Sequence, residues 1–248
     1  MSNFDWTCAS LTDVGRVRVS NEDSIFADVE SGVFIVADGM GGRAAGEVAS
    51  AIATQTIGAW EYTARGSLEA LGDQLTAAFL SAGDEISRQV EADPTISGMG
   101  TTCTVLILQE EGSFLVGHIG DSRAYLLRHD VFRQVTRDHS WVQEQVDRGL
   151  VKPEEAMDHP LSNLITRALG TDPMPTPDLY SGALQAGDTF LLASDGLTGM
   201  IADQQIFEIL ASTSKNKEAA ETLVTAANHK GGKDNITVLV VQVCETGS

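Results

Sequence analysis

The stretch from Val33 to Gly46, VFIVADGMGGRAAG, constrains this chain more than any other. Its apolar run has the length of a buried strand and delivers Asp38 to a loop containing Gly39, Gly41 and Gly42, after which a helical pattern begins. A lone carboxylate leaving a buried strand is costly unless a cation or a set of donors meets it. Four other acidic points sit in similar settings: Glu22-Asp23 after Ser20-Asn21, Asp121 in GDSR, Asp195 in SDG and Asp234 in KDN. We read them as converging on Asp38 to hold hard divalent cations of the kind that hydrolyse a phosphate ester.

Around this stretch the chain alternates strands and helices in blocks. Trp6 to Val29 reads as a strand, a turn carrying Arg16 and Arg18, the acidic Asn21-Glu22-Asp23 and a second strand from Ser24. Only Glu30-Ser31-Gly32 separates that strand from Val33, so a hairpin is expected. Val48, Ala49, Ile52, Ala53, Ile57 and Trp60 recur at helical spacing, and Leu68, Leu71, Leu75, Phe79, Ala82, Ile86 and Val90 repeat the pattern after a linker around Gly66. Four strand-like runs follow, Thr101 to Leu108, Phe114 to Ile119, Arg123 to Arg128 and Val131 to Val135, and their close turns predict an antiparallel meander. Residues Asp138 to Pro177 turn polar and proline-rich, which we take as a flap inserted beside the site. A strand from Phe190 to Ala193, helices over Gln204 to Ala211 and Lys217 to Asn228, and a last strand from Ile236 to Val243 complete the chain. Two antiparallel sheets packed together, with helix pairs outside, account for this order.

At 248 residues the chain has length for one large domain or two small ones. Sixteen basic against 35 acidic residues give a net charge of -19, which argues against nucleic acid and anionic membranes as partners. The same field repels a phosphorylated substrate, so bound metals and a few placed arginines have to reverse it locally. Cys8, Cys103 and Cys244 are an odd count with no CxxC pair; with Cys103 and Cys244 in or beside apolar runs, reduced thiols and a cytoplasmic setting fit. The start, MSNFDWTCAS, has no signal pattern, and no stretch approaches the ~20 apolar residues of a membrane span.

The Asp38 loop has a rival reading. Gly39-Met40-Gly41-Gly42-Arg43-Ala44 fits the G-x-G-x-x-A form of a dinucleotide-binding turn. Against it, Asp38 would repel a pyrophosphate, and a helix pair and a meander follow where βαβ units are needed. Carboxylates explain more: Asp38, Asp195 and Asp234 each adjoin a β-like run, and glycine after Asp38 lets a carbonyl such as that of Gly39 approach a metal. His118, His129, His139, His159 and His229 show no zinc spacing. Each acid taken singly has a bland reading: Asp195-Gly196 as a turn, Glu22-Asp23 as a solvated turn, Asp121 as a hairpin cap, Arg18 as a surface charge.

Taken together, Arg18-Val19-Ser20-Asn21-Glu22-Asp23, Val36-Ala37-Asp38-Gly39-Met40-Gly41-Gly42, Gly100-Thr101-Thr102, Gly120-Asp121-Ser122-Arg123, Ser194-Asp195-Gly196 and Asp234-Asn235 resemble, in order and spacing, the type 2C metal-dependent serine/threonine protein phosphatases, the bacterial single-domain members above all. The resemblance implies an α+β fold, a four-layer α/β/β/α sandwich, as one catalytic domain over residues 1–248. It implies two Mn2+ or Mg2+ ions per chain, with a weaker third. Asp38 is similar to the carboxylate that bridges two metals, helped by the Gly39 carbonyl, with Asp195 and Asp234 completing one site. Glu22 resembles a ligand of the other, Asp23 its hydrogen-bonding neighbour, Asp121 a ligand of the third ion shared with Asp195, and Arg18 the arginine that grips the phosphate. Phosphorylated proteins are the implied substrates and a serine/threonine kinase the implied opposing partner, with a freely diffusing monomer expected.

Two positions depart from the pattern. Met40 stands where many eukaryotic members carry a histidine acid, and Gly199 where many carry an acid for the third metal. A thioether donates no proton, so water has to serve the leaving group. Two rivals stay open: an idle phosphatase fold used as a binding partner, and a metal-dependent hydrolase of another phosphate ester.

Overall fold

The computed structural model describes residues 4–41, 45–63 and 67–246. Gly42 of the glycine loop and the linker around Gly66 lie outside the described residues. In chain order the elements are β1 (Phe4–Asp13), β2 (Asp23–Asp28), β3 (Val33–Met40), α1 (Ala45–Gly58), α2 (Leu68–Ala92), β4 (Gly100–Thr101), β5 (Cys103–Gln109), β6 (Ser113–Ile119), β7 (Arg123–Arg128) and β8 (Val131–Gln134). Then come α3 (Trp141–Asp147), α4 (Pro153–Ala156), β9 (Asp178–Ala183), β10 (Thr189–Ala193), α5 (Asp195–Thr198), α6 (Asp203–Ser212), α7 (Asn216–His229) and β11 (Ile236–Glu245).

Two antiparallel sheets form. One runs β1-β11-β10-β7-β8, the other β2-β3-β5-β6-β9, with β4 pairing β3. The unbroken apolar run in β3 follows from burial on both faces. Val33 and Ile35 meet Ala49, Ala53, Ile57, Leu75 and Phe79 of the first helix pair, while Phe34 and Val36 meet Phe190, Leu192, Leu239 and Val241 of the other sheet. On the far side of that other sheet, Leu191, Val238 and Val240 pack on Ile206, Leu210, Leu223 and Val224 of α6 and α7. Three apolar layers between four layers of structure make the expected α/β/β/α sandwich.

The first helix pair obeys the spacing read from the sequence. Ala45, Ala49, Ala53 and Ile57 form one stripe of α1, and Leu71, Leu75, Phe79, Ala82 and Ile86 one stripe of α2. Val48, expected on the buried stripe, is exposed instead. Ser67 caps α2, its side chain accepting from the Ala70 amide at 3.3 Å. Among the described residues no helix is long and apolar enough to cross a membrane.

Three expectations need correcting. β5 to β8 are not one meander: β5 pairs β6 in one sheet, β7 pairs β8 in the other, and the chain crosses between sheets at Gly120-Asp121. Gly120, at φ +109°, makes the crossing possible in the three residues between β6 and β7. A strand at Asp178–Ala183, β9, escaped notice because it alternates half-buried and exposed residues directly after a proline-rich segment. Cys103 is buried as expected, but Cys244 is only half-buried; Cys8, Cys103 and Cys244 are all free thiols.

Phe34 sits in the inter-sheet layer with no solvent exposure. Phe34→Ala is expected to lower the unfolding free energy by about 3–5 kcal/mol in urea titrations at fixed divalent-ion concentration. A loss under about 1 kcal/mol would mean that this layer is not a packed core.

Candidate active site

The carboxylates meet where the two sheets bring their strand ends to one edge of the sandwich. Asp23 opens β2 and stands opposite Asp38 near the end of β3 in the hairpin register. Asp195 opens α5 immediately after β10, Asp234 precedes β11, and Asp121 lies on the crossing from β6 to β7. The acids of five separate chain segments thus share one cleft. Asp23 and Asp121 are buried; Glu22, Asp38, Asp195 and Asp234 keep one side toward solvent.

Close backbone approach sets these positions. A β-carbon on Gly39 would strike the carbonyls of Gly46 and Glu22, so only glycine lets the start of α1 close over the end of β3. Gly46 in turn lies against the Glu22 carboxylate at the first turn of α1, where the helix dipole favours negative charge. Gly196 packs on the Asn235 carbonyl, which draws Asp195 and Asp234 together.

Polar side chains inside the apolar runs fix the rest, and sequence reasoning assigned them no role. Thr102 Oγ1 accepts from the Asp38 amide at 2.9 Å and shares a 2.7 Å hydrogen bond with Ser122, beside Asp121. Thr101 Oγ1 donates to the Asp38 carbonyl at 2.9 Å. Ser194 Oγ donates to Asp23 Oδ2 at 2.8 Å and accepts from the Thr237 amide at 3.0 Å. Asn235 accepts from the Glu22 amide at 2.8 Å and donates to the carbonyls of Val14 and Ser20, so it pins the loop that carries Arg18. The available signal was a hydroxyl or amide at the edge of a wholly apolar strand, as in TTCTVLIL, FLLAS and NITVLVV.

Electrostatically the cleft is unbalanced. Loss of water, then the charges of Asp23, Asp195, Asp121 and Asp234, hold the Asp38 carboxyl well above the usual carboxylate range. Burial pushes Asp23 up to about 7, against the hydrogen bond from Ser194, and Asp195 up to about 6, with Asp234 adding to the effect. Asp121 is raised by burial and by Asp195 and Asp138, with Arg123 pulling the other way. The cation at the rim is Arg18, whose Nη2 lies 2.6 Å from Asp234 Oδ2; its side chain is 49% exposed.

The donors that the acids offer are oxygens, which suits a hard cation. Asp23 Oδ1, Asp121 Oδ1 and Asp195 Oδ1 are buried and have no hydrogen-bond partner, so each holds a lone pair that only a cation or a proton satisfies. Among the described residues no three acid, histidine or cysteine side chains are already gathered tightly enough to hold an ion unaided. Like-charged oxygens spread apart, and backbone carbonyls and waters complete the shell of such ions. What the geometry defines is a class of chemistry: an anionic pocket suited to cations, with an arginine at its mouth.

Known proteins are similar to this chain over nearly its whole length. A family model described as protein phosphatase 2C matches residues 14–236. The serine/threonine phosphatase stp of Listeria innocua is 41% identical over 236 residues, covering 93% of each protein. The crystal structure of the Mycobacterium tuberculosis serine/threonine phosphatase PstP/Ppp superposes with a TM-score of 0.89 at 40% identity, over 96% of this chain and 98% of that one. A structure of the PstP catalytic domain in complex with two manganese ions gives 0.88 at 38% identity, over 97% and 99%. The chain belongs to the protein phosphatase 2C family, and it is a serine/threonine protein phosphatase of that family.

The raised carboxyls carry a pH signature. Asp23 and Asp195 hold protons in the folded chain up to about pH 7 and 6, whereas the unfolded chain releases them near its ordinary value of 3.8. The folded state therefore binds more protons, and the stability these groups contribute is present below about pH 4 and lost as pH rises through 6 to 7. In chelator, the urea midpoint is expected to fall between about pH 5 and pH 8, and excess Mn2+ to restore it at the higher pH. A chelated protein equally stable at both values would contradict this electrostatic picture.

Proposed function

We propose that this chain hydrolyses phosphoserine and phosphothreonine in proteins with the help of two divalent cations, Mn2+ or Mg2+, and so opposes a serine/threonine kinase. The observation that carries the reading is the crowding of Asp38 by Asp23, Asp195, Asp121 and Asp234, with three orphaned buried oxygens among them. Asp38, Asp195 and Asp234, with the Gly39 carbonyl, would hold one ion. Asp38 and Glu22 would hold the second, with Asp23 behind them, tied to Ser194. Asp121 with Asp195 would hold a weaker third, and Gly199 contributes no acid to it. When bound, such cations neutralise the phosphate and acidify a water for attack on phosphorus.

The chain's own residues supply orientation. Arg18 sits on a loop pinned by Asn235, and its guanidinium beside Asp234 is placed to turn two N–H groups on a phosphate entering the cleft. Met40, two residues beyond Asp38, has no proton to give, so the departing serine or threonine oxygen takes its proton from water. Residues 138–177 act as a flap beside the site: Ile165 to Ala168 and Thr171 to Thr176 wall a cavity of about 680 Å3 together with Met40. The site takes peptides rather than nucleic acid, because the net charge of -19 disfavours a polyanion. The free thiols fit a cytoplasmic enzyme.

Release of phosphate from phosphopeptides, nucleotides and sugar phosphates, each with and without Mn2+, tests the reading. Turnover of phosphopeptides only with Mn2+ supports it; preference for a small phosphate ester, or no turnover at all, favours one of its rivals. Asp38→Ala is expected to abolish turnover even at saturating Mn2+, and near-normal rates in that variant would refute the assignment. Arg18→Ala is expected to raise KM for a phosphopeptide by roughly tenfold with a smaller effect on kcat. An unchanged KM would remove Arg18 from the substrate site.

A further inference from the structure

The sheet crossing that carries Asp121 is gripped on both sides by two consecutive residues, Asp138 and His139. Before Asp121, the Gly120 amide donates to His139 Nδ1 at 3.0 Å and the His139 amide donates to the Gly120 carbonyl at 2.7 Å. After it, Arg123 donates from Nε and Nη2 to the Asp138 carboxylate at 3.0 and 2.7 Å. With Nδ1 accepting, His139 Nε2 faces both Asp178 Oδ2 at 3.1 Å and Arg167 Nη1 at 2.8 Å, so the ring meets the acid and the arginine of the same pair. Asp178 Oδ1 accepts from Arg167 Nη1 at 2.9 Å, Arg167 Nη2 donates to the Thr176 carbonyl, and the Thr166 amide donates to the His139 carbonyl at 2.8 Å. Arg167 and Thr176 belong, with Met40, to the wall of the same cavity.

A continuous chain of direct hydrogen bonds therefore runs from the cavity wall through Arg167, Asp178 and His139 to the backbone beside Asp121. Packing alone does not require it. An apolar side chain would fill the place of His139, yet here a buried ring spends both nitrogens on two different segments. We propose that His139 is a positioning residue that couples the 165–176 arm to Asp121, so that polypeptide lying against the arm sets the carboxylate for its cation. The coupling rests on Asp121 being a cation ligand, and the experiment separates the two.

Mn2+ binding isotherms of the full chain without substrate, for wild type, Arg167→Ala, His139→Asn, Asp121→Asn and the Arg167→Ala/Asp121→Asn double variant, test it. Arg167 is partly exposed, so its removal spares the core, and His139→Asn keeps an acceptor for the Gly120 amide while cutting the tie to Asp178. Unchanged circular dichroism and Tm confirm that each variant is folded. Arg167→Ala and His139→Asn are each expected to weaken roughly tenfold the binding phase that Asp121→Asn removes, and to leave the other phase within about twofold. Arg167→Ala is expected to add nothing in the Asp121→Asn background. The same loss in that background, or a uniform loss in every phase, would overturn the coupling and leave a merely structural role. Isotherms unchanged by Arg167→Ala while Asp121→Asn loses a phase would overturn the coupling alone. Wild-type binding by Asp121→Asn would overturn the ligand reading of Asp121 and the proposal with it.

Discussion

Carboxylates repel one another, and this chain sets five aspartates around one cleft where, among the described residues, the half-exposed Arg18 stands at the edge. Bringing Asp38 next to Asp23, Asp195, Asp121 and Asp234 raises the free energy of its charged form, by loss of water first and by like charge second. Among the described residues no side chain of the cleft offsets this fully. Arg18 reaches only Asp234, and Arg123 is committed to Asp138. A site so arranged stores an unmet demand for positive charge, which a proton meets poorly at neutral pH and a divalent cation meets well.

The sandwich is what makes that arrangement hold. Loops alone would let repelling carboxylates drift apart, but these acids stand at or beside the ends of strands, of which β3, β10 and β11 are packed on two faces. β3 is anchored between α1 and α2 on one side and the second sheet on the other, so Asp38 cannot retreat. Hydroxyls and an amide from Thr101, Thr102, Ser194 and Asn235 then lock the local backbone. The overall charge of -19 disfavours anionic polymers, while cations held in the cleft would create a local field of the opposite sign for one phosphate.

Much of this was legible before any coordinates. The doubly buried strand Val33–Met40, the hairpin into it, both helix pairs and the last strand follow from apolar spacing, since burial on one or two faces writes itself directly into periodicity. What a short turn does not reveal is whether the next strand stays in the same sheet. Gly120-Asp121 looks like a hairpin turn, yet it carries the chain into the other sheet and thereby puts Asp121 in the cleft. β9 was lost because a half-exposed edge strand shows only weak alternation, and α5 because four residues are too few for a helical period. The acidic residues were found because strand-flanking carboxylates need a reason. Their supporting hydroxyls were not assigned, because a threonine in a strand is ordinary until its partner is known.

Anomalous scattering from crystals grown with millimolar Mn2+ bears most directly on the claim that remote acids meet around shared cations. Two strong manganese peaks flanking the Asp38 carboxylate are expected, one also touching Asp195 and Asp234 and the other on the Glu22 side. Peaks confined to the protein surface, or an Asp38 carboxylate with no manganese beside it, would contradict the account.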